Sequence, residues 1–419
     1  MKTKLMYLST IVLAAAMLFG TEGCKKDSSP TALTLTTLTA GSVDLNGAVA
    51  ATTVPASTTI VAGFTANIDA ATANTSNITM TRDYDNVIVP ITITVATNTI
   101  SIVPTEVLAS GALYKLAFGT GIKSTDAQPL AAANRNFTTI GTFAPSGVIA
   151  YWTFEDNAND VVGTFDPAVS GIKDITYTAS RNAAAGKAAT FNGTTSLIEI
   201  PNGDQLMNTH DFTLSFWVKT NSTGKTSGHF VMGLGGWNGF QFEIFGAYDG
   251  CKLAAQYDLG TATGSEDLWF NGAATNSTKD NGGWQGWTYC KDLTGAGGLA
   301  FLIQDKWANI VCVYNSSTKV GNMYINGVVM KSQDFNLWPT GDAKKGVVGL
   351  KYAGNALGNL LAFGFIQGSA NRTITDAWAD PTNPDPTFNH LKGQLDDVRI
   401  YHKALTANEI DLMYKSEKP

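Results

Sequence analysis

Phe212-Thr213-Leu214-Ser215-Phe216-Trp217-Val218-Lys219 is the stretch on which the reading of this 419-residue chain turns. Successive side chains of an extended strand point to opposite faces. Phe212, Leu214, Phe216 and Val218 therefore share one face, and Thr213, Ser215, Trp217 and Lys219 share the other. Eight residues alternating in this way predict a strand with one strongly apolar face. Outward from it, Val148–Phe154, Lys187–Phe191, Leu197–Ile200, Trp307–Tyr314 and Gly393–Tyr401 read as further strands. Asn326-Gly327 separates Met323-Tyr324-Ile325 from Val328–Met330, and Asn-Gly between apolar runs is the strongest short-range hairpin signal. A helix is predicted only at the C-terminus. There Thr406-Ala407-Asn408-Glu409 has the form of a capping box, with Ile410 and Met413 giving the following turns an apolar face.

Upstream of the breaker Ala144-Pro145-Ser146-Gly147 the texture changes. Thr59–Phe64, Asn86–Val95, Thr99–Val103, Leu113–Gly119 and Arg135–Thr139 recur at intervals of about ten residues with Gly, Asn and Pro between them, the pattern of a β-sandwich. At roughly 100–200 residues per domain, the length suggests two or three domains. A hydrophobic content of 44% can bury large cores, while 15% charged residues and 42 glycines point to an exported all-β protein. The formal net charge is −6 and no basic stripe is present, which excludes nucleic acid as a partner.

Val54-Pro55, Ile60-Val61-Ala62-Gly63-Phe64, Ile68-Asp69, Ile102-Val103-Pro104, Leu108, Gly111-Ala112-Leu113-Tyr114 and Asn136-Phe137-Thr138-Thr139 follow one another in an order that resembles the bacterial Ig-like domains of surface and S-layer proteins. Over residues 31–143 the resemblance implies a spacer. Ala150–Glu155, Ala188–Gly193, Phe212–Lys219, Trp307–Tyr314, Met323–Gly327 and Gly393–Tyr401 in turn resemble the laminin-G-like, concanavalin A-type jelly rolls of bacteria over residues 147–416. Two insertions depart from that family, at about 250–300 and 367–390. The fold class implied is all-β: an Ig-like β-sandwich, then a larger concanavalin A-like jelly roll with a short C-terminal helix.

Lys2 and Lys4 precede the uncharged apolar residues 5–19, a run with the length of a signal-peptide core and short for a membrane span. The following Gly20-Thr21-Glu22-Gly23-Cys24 resembles a lipobox, although Thr21 stands where Leu is usual and Glu22 is unexpected. Residues 1–23 are thus expected to be a signal peptide, Cys24 the lipidated residue and 24–30 a polar tether. Lys25-Lys26-Asp27 after the Cys resembles the surface-export signal of Bacteroidetes lipoproteins. The expected location is the bacterial outer membrane, lipid-anchored and facing the cell surface. An ordinary cleaved secretory peptide is the alternative. Of the other cysteines, Cys312 lies in an apolar strand run and reads as a small buried hydrophobe. Cys251 and Cys290 flank one irregular segment and are disulfide candidates, since an oxidising compartment permits the bond.

Three places carry candidate chemistry. Asp396, read by simple alternation, shares a face with the core residues Val398 and Ile400, and an inward carboxylate needs a partner. The concanavalin A-like resemblance implies a structural calcium between the last strand and the first, with Asp396 and Glu155 as ligands; hydrogen bonds from loop amides are the alternative. The insertion at 250–300 carries Trp269, Trp284, Trp287 and Tyr289 with Asn281 among them, and Trp378 lies on the second insertion. Flat rings beside amides and carboxylates suit a sugar, whose apolar face stacks while its hydroxyls find donors and acceptors. The same rings would equally serve as a small core for the insertion, although Gly282, Gly283 and Gly286 favour exposure.

Signals for catalysis are absent. The four histidines show no metal-ligand spacing, and neither a G-x-S-x-G elbow nor a P-loop occurs. No strand shows carboxylates in an E-x-D-x-x-E pattern, and the neighbours Glu266 and Asp267 cannot share a strand face. The chain is therefore read as a non-enzyme that binds a polysaccharide or glycoconjugate. Adhesion to a surface protein is the runner-up and a concanavalin A-like glycoside hydrolase the third reading. An exposed row of rings would favour glycan and a continuous aliphatic patch would favour protein. For the anchor, Cys24→Ala is expected to shift the protein from the membrane to the soluble fraction, because a lipid chain is then no longer attached. Retention after a salt and carbonate wash counts against it.

Overall fold

A computed structural model describes residues 31–235, 238–273, 286–354, 359–366 and 389–419. The chain divides into two compact units. One comprises residues up to Val107 with Leu113–Thr138, and the other Leu108–Ala112 with residues from Thr139 onward.

The first unit is built from two five-stranded sheets. In spatial order the first holds Val43–Asp44, Leu35–Ala40, Ile60–Phe64, Thr99–Pro104 and Ile91–Ala96. The second holds Ala51–Val54, Ala133–Thr139, Leu113–Phe118, Ile78–Arg82 and Ile88–Val89. Alternation brings Ile60, Ala62, Ile100 and Ile102 inward from one sheet and Ile78, Met80, Leu116 and Phe118 from the other. The predicted run Asn86–Val95 is not one strand. Pro90 has no N–H to give to a ladder, and the chain changes sheets there: Ile88 pairs with Thr81, whereas Ile91 pairs with Pro104.

The second unit stacks a nine-stranded sheet on an eight-stranded one. The larger sheet runs Thr176–Ala179, Lys187–Asn192, Lys392–Tyr401, Phe212–Thr220, Trp307–Asn315, Val320–Ile325, Val328–Asp334 and Trp287–Cys290, with Val148–Trp152 added on Lys392–Tyr401. The smaller runs Ile172–Lys173, Leu197–Ile200, Leu361–Phe363, His229–Leu234, Phe240–Ile244, Cys251–Asp258 and Thr263–Phe270, with Gly349–Leu350 added on Cys251–Asp258. Phe212, Leu214, Phe216 and Val218 enter the core between the sheets as their spacing requires, and the Phe216 ring meets Phe242 of the facing sheet at 5.0 Å. Asn326 and Gly327 both take positive φ and close the expected hairpin. Helix Ala407–Glu417 carries the expected capping box, Thr406 and Glu409 each accepting from the other's backbone N–H.

The polar face of Phe212–Thr220 is buried as well, beneath that helix, and Trp217 stacks on Tyr414 at 5.9 Å. Its indole donates to Glu417 Oε2 at 2.9 Å. Here the simple alternation expected for Asp396 fails. The pairing with Phe212–Thr220 slips between Ser215 and Trp217, and Asp397 takes φ +48°. This bulge inserts one extra residue, so Leu395 and Val398 both remain in the core while Asp396 turns outward to Arg181. Arg181 Nη1 lies 2.6 Å from Asp396 Oδ2, its Nη2 pairs with Asp397, and its Nε donates to the Glu417 carbonyl at 2.8 Å. Arg399 Nη1 holds Glu417 Oε1 at 2.7 Å. Burial and the charge of Asp397 push Asp396 up to about 8. Burial would raise Asp397 too, but Arg399 and Arg181 hold it below the ordinary carboxylate value.

The cluster sets three carboxylates against two guanidiniums with almost no solvent. Removing one partner of a buried pair costs about 3–5 kcal/mol, against roughly 0–1 for an exposed pair. Arg181→Met is therefore expected to destabilise the second unit by an amount in the higher range, measured as a fall in urea midpoint. A loss under about 1 kcal/mol would show that the cluster does not hold the helix.

Candidate binding face

The face of the smaller sheet turned away from the main core is apolar on one side, where Leu197, Phe230 and Ala362 cluster with Phe365 and Ile366, and polar on the other. Phe240–Ile244, Cys251–Asp258 and Thr263–Phe270 lie side by side, with Glu243 opposite Lys252, Lys252 opposite Trp269, Gln241 opposite Ala254 and Ala254 opposite Asp267. Phe242, Leu253 and Leu268 point into the core, so Gln241, Glu243, Lys252, Asp267 and Trp269 share the outer face. Lys252 Nζ sits 3.0 Å from Glu243 Oε1 and 3.0 Å from Asp267 Oδ2. It is only 4% exposed. Burial by itself lowers the Lys252 ammonium, but the two carboxylates raise it above the usual lysine value.

Beside Glu243 opens a cleft of ≈ 440 Å³, walled by Ser227, Gly228, His229, Gly246 and Asn389. A Cβ on Gly246 would come within 2.6 Å of the Thr226 carbonyl, and one on Gly228 within 2.7 Å of the Ile244 carbonyl. Side chains at either position would push these two backbone segments apart. His229 accepts at Nδ1 from the Lys392 N–H at 3.3 Å, which assigns the proton to Nε2, 3.0 Å from the Tyr248 hydroxyl. Burial is the chief cause that lowers His229 to about 3, helped by the cations Lys225 and Lys392 and opposed by Asp305.

The sequence-predicted site residues are distributed differently from expectation. Trp269 and Trp287 do come together, with ring centroids 5.7 Å apart. Trp287, expected as an exposed platform, is instead 3% exposed, because it forms part of a strand on Val328–Asp334. The buried Lys331 ammonium lies 3.7 Å over its ring, and burial lowers that lysine to about 8. Tyr289 is 38% exposed, two residues along the same strand. Trp284, Asn281 and Trp378 lie outside the described residues. The segment taken for an insertion starts as two regular strands, Cys251–Asp258 and Thr263–Phe270.

Glu266 and Asp267 separate as adjacency required. Asp267 faces outward to Lys252, while Glu266 pairs with Lys344 near the core. Burial raises the Glu266 carboxyl, against the pull of Lys344.

The residues of the metal and disulfide expectations have the following surroundings. Asp396 has its oxygens engaged by Arg181, Ser180 and the Asp397 N–H. The partner that alternation demanded is thus a guanidinium. Glu155 accepts instead from the Lys187 N–H at 3.0 Å. Among the described residues no group of three or more His, Cys, Asp or Glu is arranged to hold a metal. Cys251, Cys290 and Cys312 are free thiols. Cys251 faces the core with its sulfur 3.7 Å from Met323 Sδ of the opposite sheet, and burial pushes its thiol pKa up. Cys290 Sγ points to Asn271 Oδ1 at 3.9 Å.

Sequence reasoning missed the Glu243–Lys252–Asp267 group. Its signal was the alternation in Phe240-Gln241-Phe242-Glu243-Ile244, which puts two polar side chains on the face opposite three apolar ones.

Residues 35–139 match the bacterial Ig-like domain family, and residues 192–359 match the concanavalin A-like lectin/glucanases superfamily. No curated protein matches the chain. Among solved structures, the botulinum neurotoxin type G receptor binding domain is similar at 16% identity and TM-score 0.38, over 64% of this chain and 51% of that one. The botulinum neurotoxin serotype D ligand binding domain in complex with N-acetylneuraminic acid gives 14%, 0.39, 65% and 51% in the same order. Domain 4 of AbnA, a GH43 extracellular arabinanase from Geobacillus stearothermophilus, in complex with arabinotriose, gives 19%, 0.37, 64% and 98%. The chain spans about half the length of the toxin structures.

His229 supplies a pH test of the cleft wall. Its folded pKa is depressed to about 3, so the folded state keeps the ring neutral while the unfolded chain takes a proton below about 6.5. The contribution is present at neutral pH and lost as pH falls from about 6.5 towards 3, with a slope of at most roughly 1.4 kcal/mol per pH unit. Urea midpoints of the wild type are expected to fall more steeply between pH 6 and 4 than those of His229→Gln. Parallel curves would count against a buried neutral imidazole.

Proposed function

We propose that this chain, a bacterial Ig-like domain followed by a concanavalin A-like domain, is a non-catalytic glycan-binding protein. In this reading lipid on Cys24 holds it at the cell surface and the Ig-like unit serves as a spacer. The outer face of the smaller sheet in the second unit is the reader. The observation that carries the reading is Lys252 fixed between Glu243 and Asp267, directly opposite Trp269 and next to an open cleft. Saccharides are recognised by a few positioned polar groups beside apolar, preferably aromatic, surface.

A hydrolase of this fold would need two carboxylates working as acid and nucleophile or base. One ammonium bridges both carboxylates on this face, which occupies the groups such chemistry would use. Asp267 and Glu266 project to opposite sides of the sheet and cannot act together.

Trp269 is half-buried at the edge of the face. Losing the contact of one ring with a sugar removes apolar burial at about 25 cal/mol per Å², an expected loss of roughly 1–2 kcal/mol. Trp269→Ala is thus expected to weaken polysaccharide binding about tenfold or more in affinity electrophoresis over a panel of neutral and acidic polysaccharides. Unchanged mobility of the wild type in every polysaccharide would overturn the reading. Release of new reducing ends from a bound polysaccharide would overturn its non-catalytic part.

A further inference from the structure

Asn389, on the wall of the cleft, carries a side chain that the fold leaves unused. Its backbone stands at φ +66°, in the left-handed region that Gly and Asn enter most readily. Asn is accepted there because its short side chain can hydrogen-bond to nearby backbone. The Asn389 carbonyl does hold the chain in place, accepting from the Phe230 N–H at 2.7 Å. The side-chain amide makes no hydrogen bond among the described residues, although the residue is only 6% exposed and lines the cleft. Its Oδ1 lies 3.4 Å from the place a Cβ on Gly228 would take, on the same wall. Glycine would meet the backbone demand equally well. The amide instead offers an acceptor and a donor side by side, the pattern that a pair of neighbouring hydroxyls requires. His229 cannot serve in its place, because both of its ring nitrogens are engaged within the protein.

Phe245 supplies the aromatic wall of the cleft and is half-buried. Its N–H donates to the Gly250 carbonyl at 2.9 Å, which closes a tight turn. Gly250 also fixes where the ring can lie: a Cβ there would come within 2.6 Å of Phe245 Cδ2 and 3.0 Å of Trp269 Nε1. Phe245 and Trp269 thus flank one glycine, with Phe245 lining the cleft and Trp269 outside its lining. Exposed ring surface beside a polar fork suits a sugar unit. A ligand that reaches both rings has one part inside the cleft and another outside it, which calls for more than one unit.

We infer that the cleft is the inner subsite of an oligosaccharide-binding strip. One sugar unit with two neighbouring free hydroxyls lies against Phe245 and the Asn389 amide, and the next unit rests on Trp269. This inference rests on the glycan-binding reading and specifies the chain length and hydroxyl pattern of its ligand. Phe245 and Asn389 contact the ligand, and Gly250 is a positioning residue.

The full chain can be tested by calorimetry with xylan, mannan and arabinan, with the mono- and oligosaccharides prepared from each, and with the periodate-oxidised polymers, in which neighbouring hydroxyl pairs have been cleaved. For a polymer that binds, affinity is expected to rise about tenfold or more from the single unit to the short oligosaccharides, and to fall by a similar factor on periodate oxidation. Trp269→Ala should abolish the gain with length. Asn389→Gly keeps the left-handed backbone and deletes only the amide, so it should lose about tenfold in affinity with an unchanged melting temperature, which a structural amide would not give. Gly250→Ala, which displaces the Phe245 ring, should weaken binding of every length. Equal affinity for one unit and for longer chains overturns the inference. So does unchanged binding by Asn389→Gly or by the oxidised polymer, or a lower melting temperature for Asn389→Gly; each of these leaves glycan binding elsewhere on the chain intact. A wild type that binds none of the polymers overturns the glycan-binding reading and the subsite together.

Discussion

The second unit depends on the pairing of its last strand. Lys392–Tyr401 is hydrogen-bonded to Phe212–Thr220 on one side. On the other it pairs first with Lys187–Asn192 and then with Val148–Trp152. One strand thereby joins the start, the middle and the end of the unit. Such long-range pairing is entropically expensive to form, so the point where one neighbour hands over to the next needs its own fixing. The Asp397 bulge lies at that point. The bulge frees two consecutive carboxylates from the ladder's alternation, and Arg181 and Arg399 tie them to Glu417 at the end of the C-terminal helix. Packing follows from the same bulge, because it lets the helix cover Trp217 without disturbing Leu395 or Val398 in the core.

The smaller sheet shows the opposite use of charge. In the Arg181 cluster each acid is matched by guanidinium, hydroxyl or backbone donors, which suits a structural lock. On the polar side of the smaller sheet Lys252 lies 3.0 Å from each of two carboxylates, and the buried Gln241 amide has no hydrogen-bond partner among the described residues. Buried ion pairs are weak stabilisers even at their best, and apolar replacements often do as well. A face built this way is poorly explained by stability alone. Local rules tend to be broken where function requires it.

How far the sequence disclosed this structure can be judged from particular elements. Period-two alternation identified Phe212–Thr220 and its core side chains, the Asn326-Gly327 turn placed a hairpin, and Thr406-Ala407-Asn408-Glu409 placed the helix start. All three are local signals, decided within a few residues. The failures lie where a distant partner or one added residue decides. Pro90 sends a continuous-looking β run into two sheets. The bulge at Asp397 reverses the facing of Asp396, whose partner Arg181 lies 215 residues away, so spacing could not reveal it. Trp287 sits in a glycine-rich context that suggested exposure, but strand pairing with Val328–Asp334 buries it. The polar face was legible in Phe240-Gln241-Phe242-Glu243-Ile244. Only the register with Cys251–Asp258 and Thr263–Phe270, however, shows that Glu243, Lys252 and Asp267 converge.

In the glycan-binding reading, that convergence bears on recognition. Side chains on regular strands are held more rigidly than those on loops, and a preorganised polar group loses little entropy on binding. Lys252 is fixed by two charge-assisted contacts, and Ile366 packs over Gly233, the cross-strand neighbour of the buried Gln241. The energy spent on burying these groups is already part of the folded state.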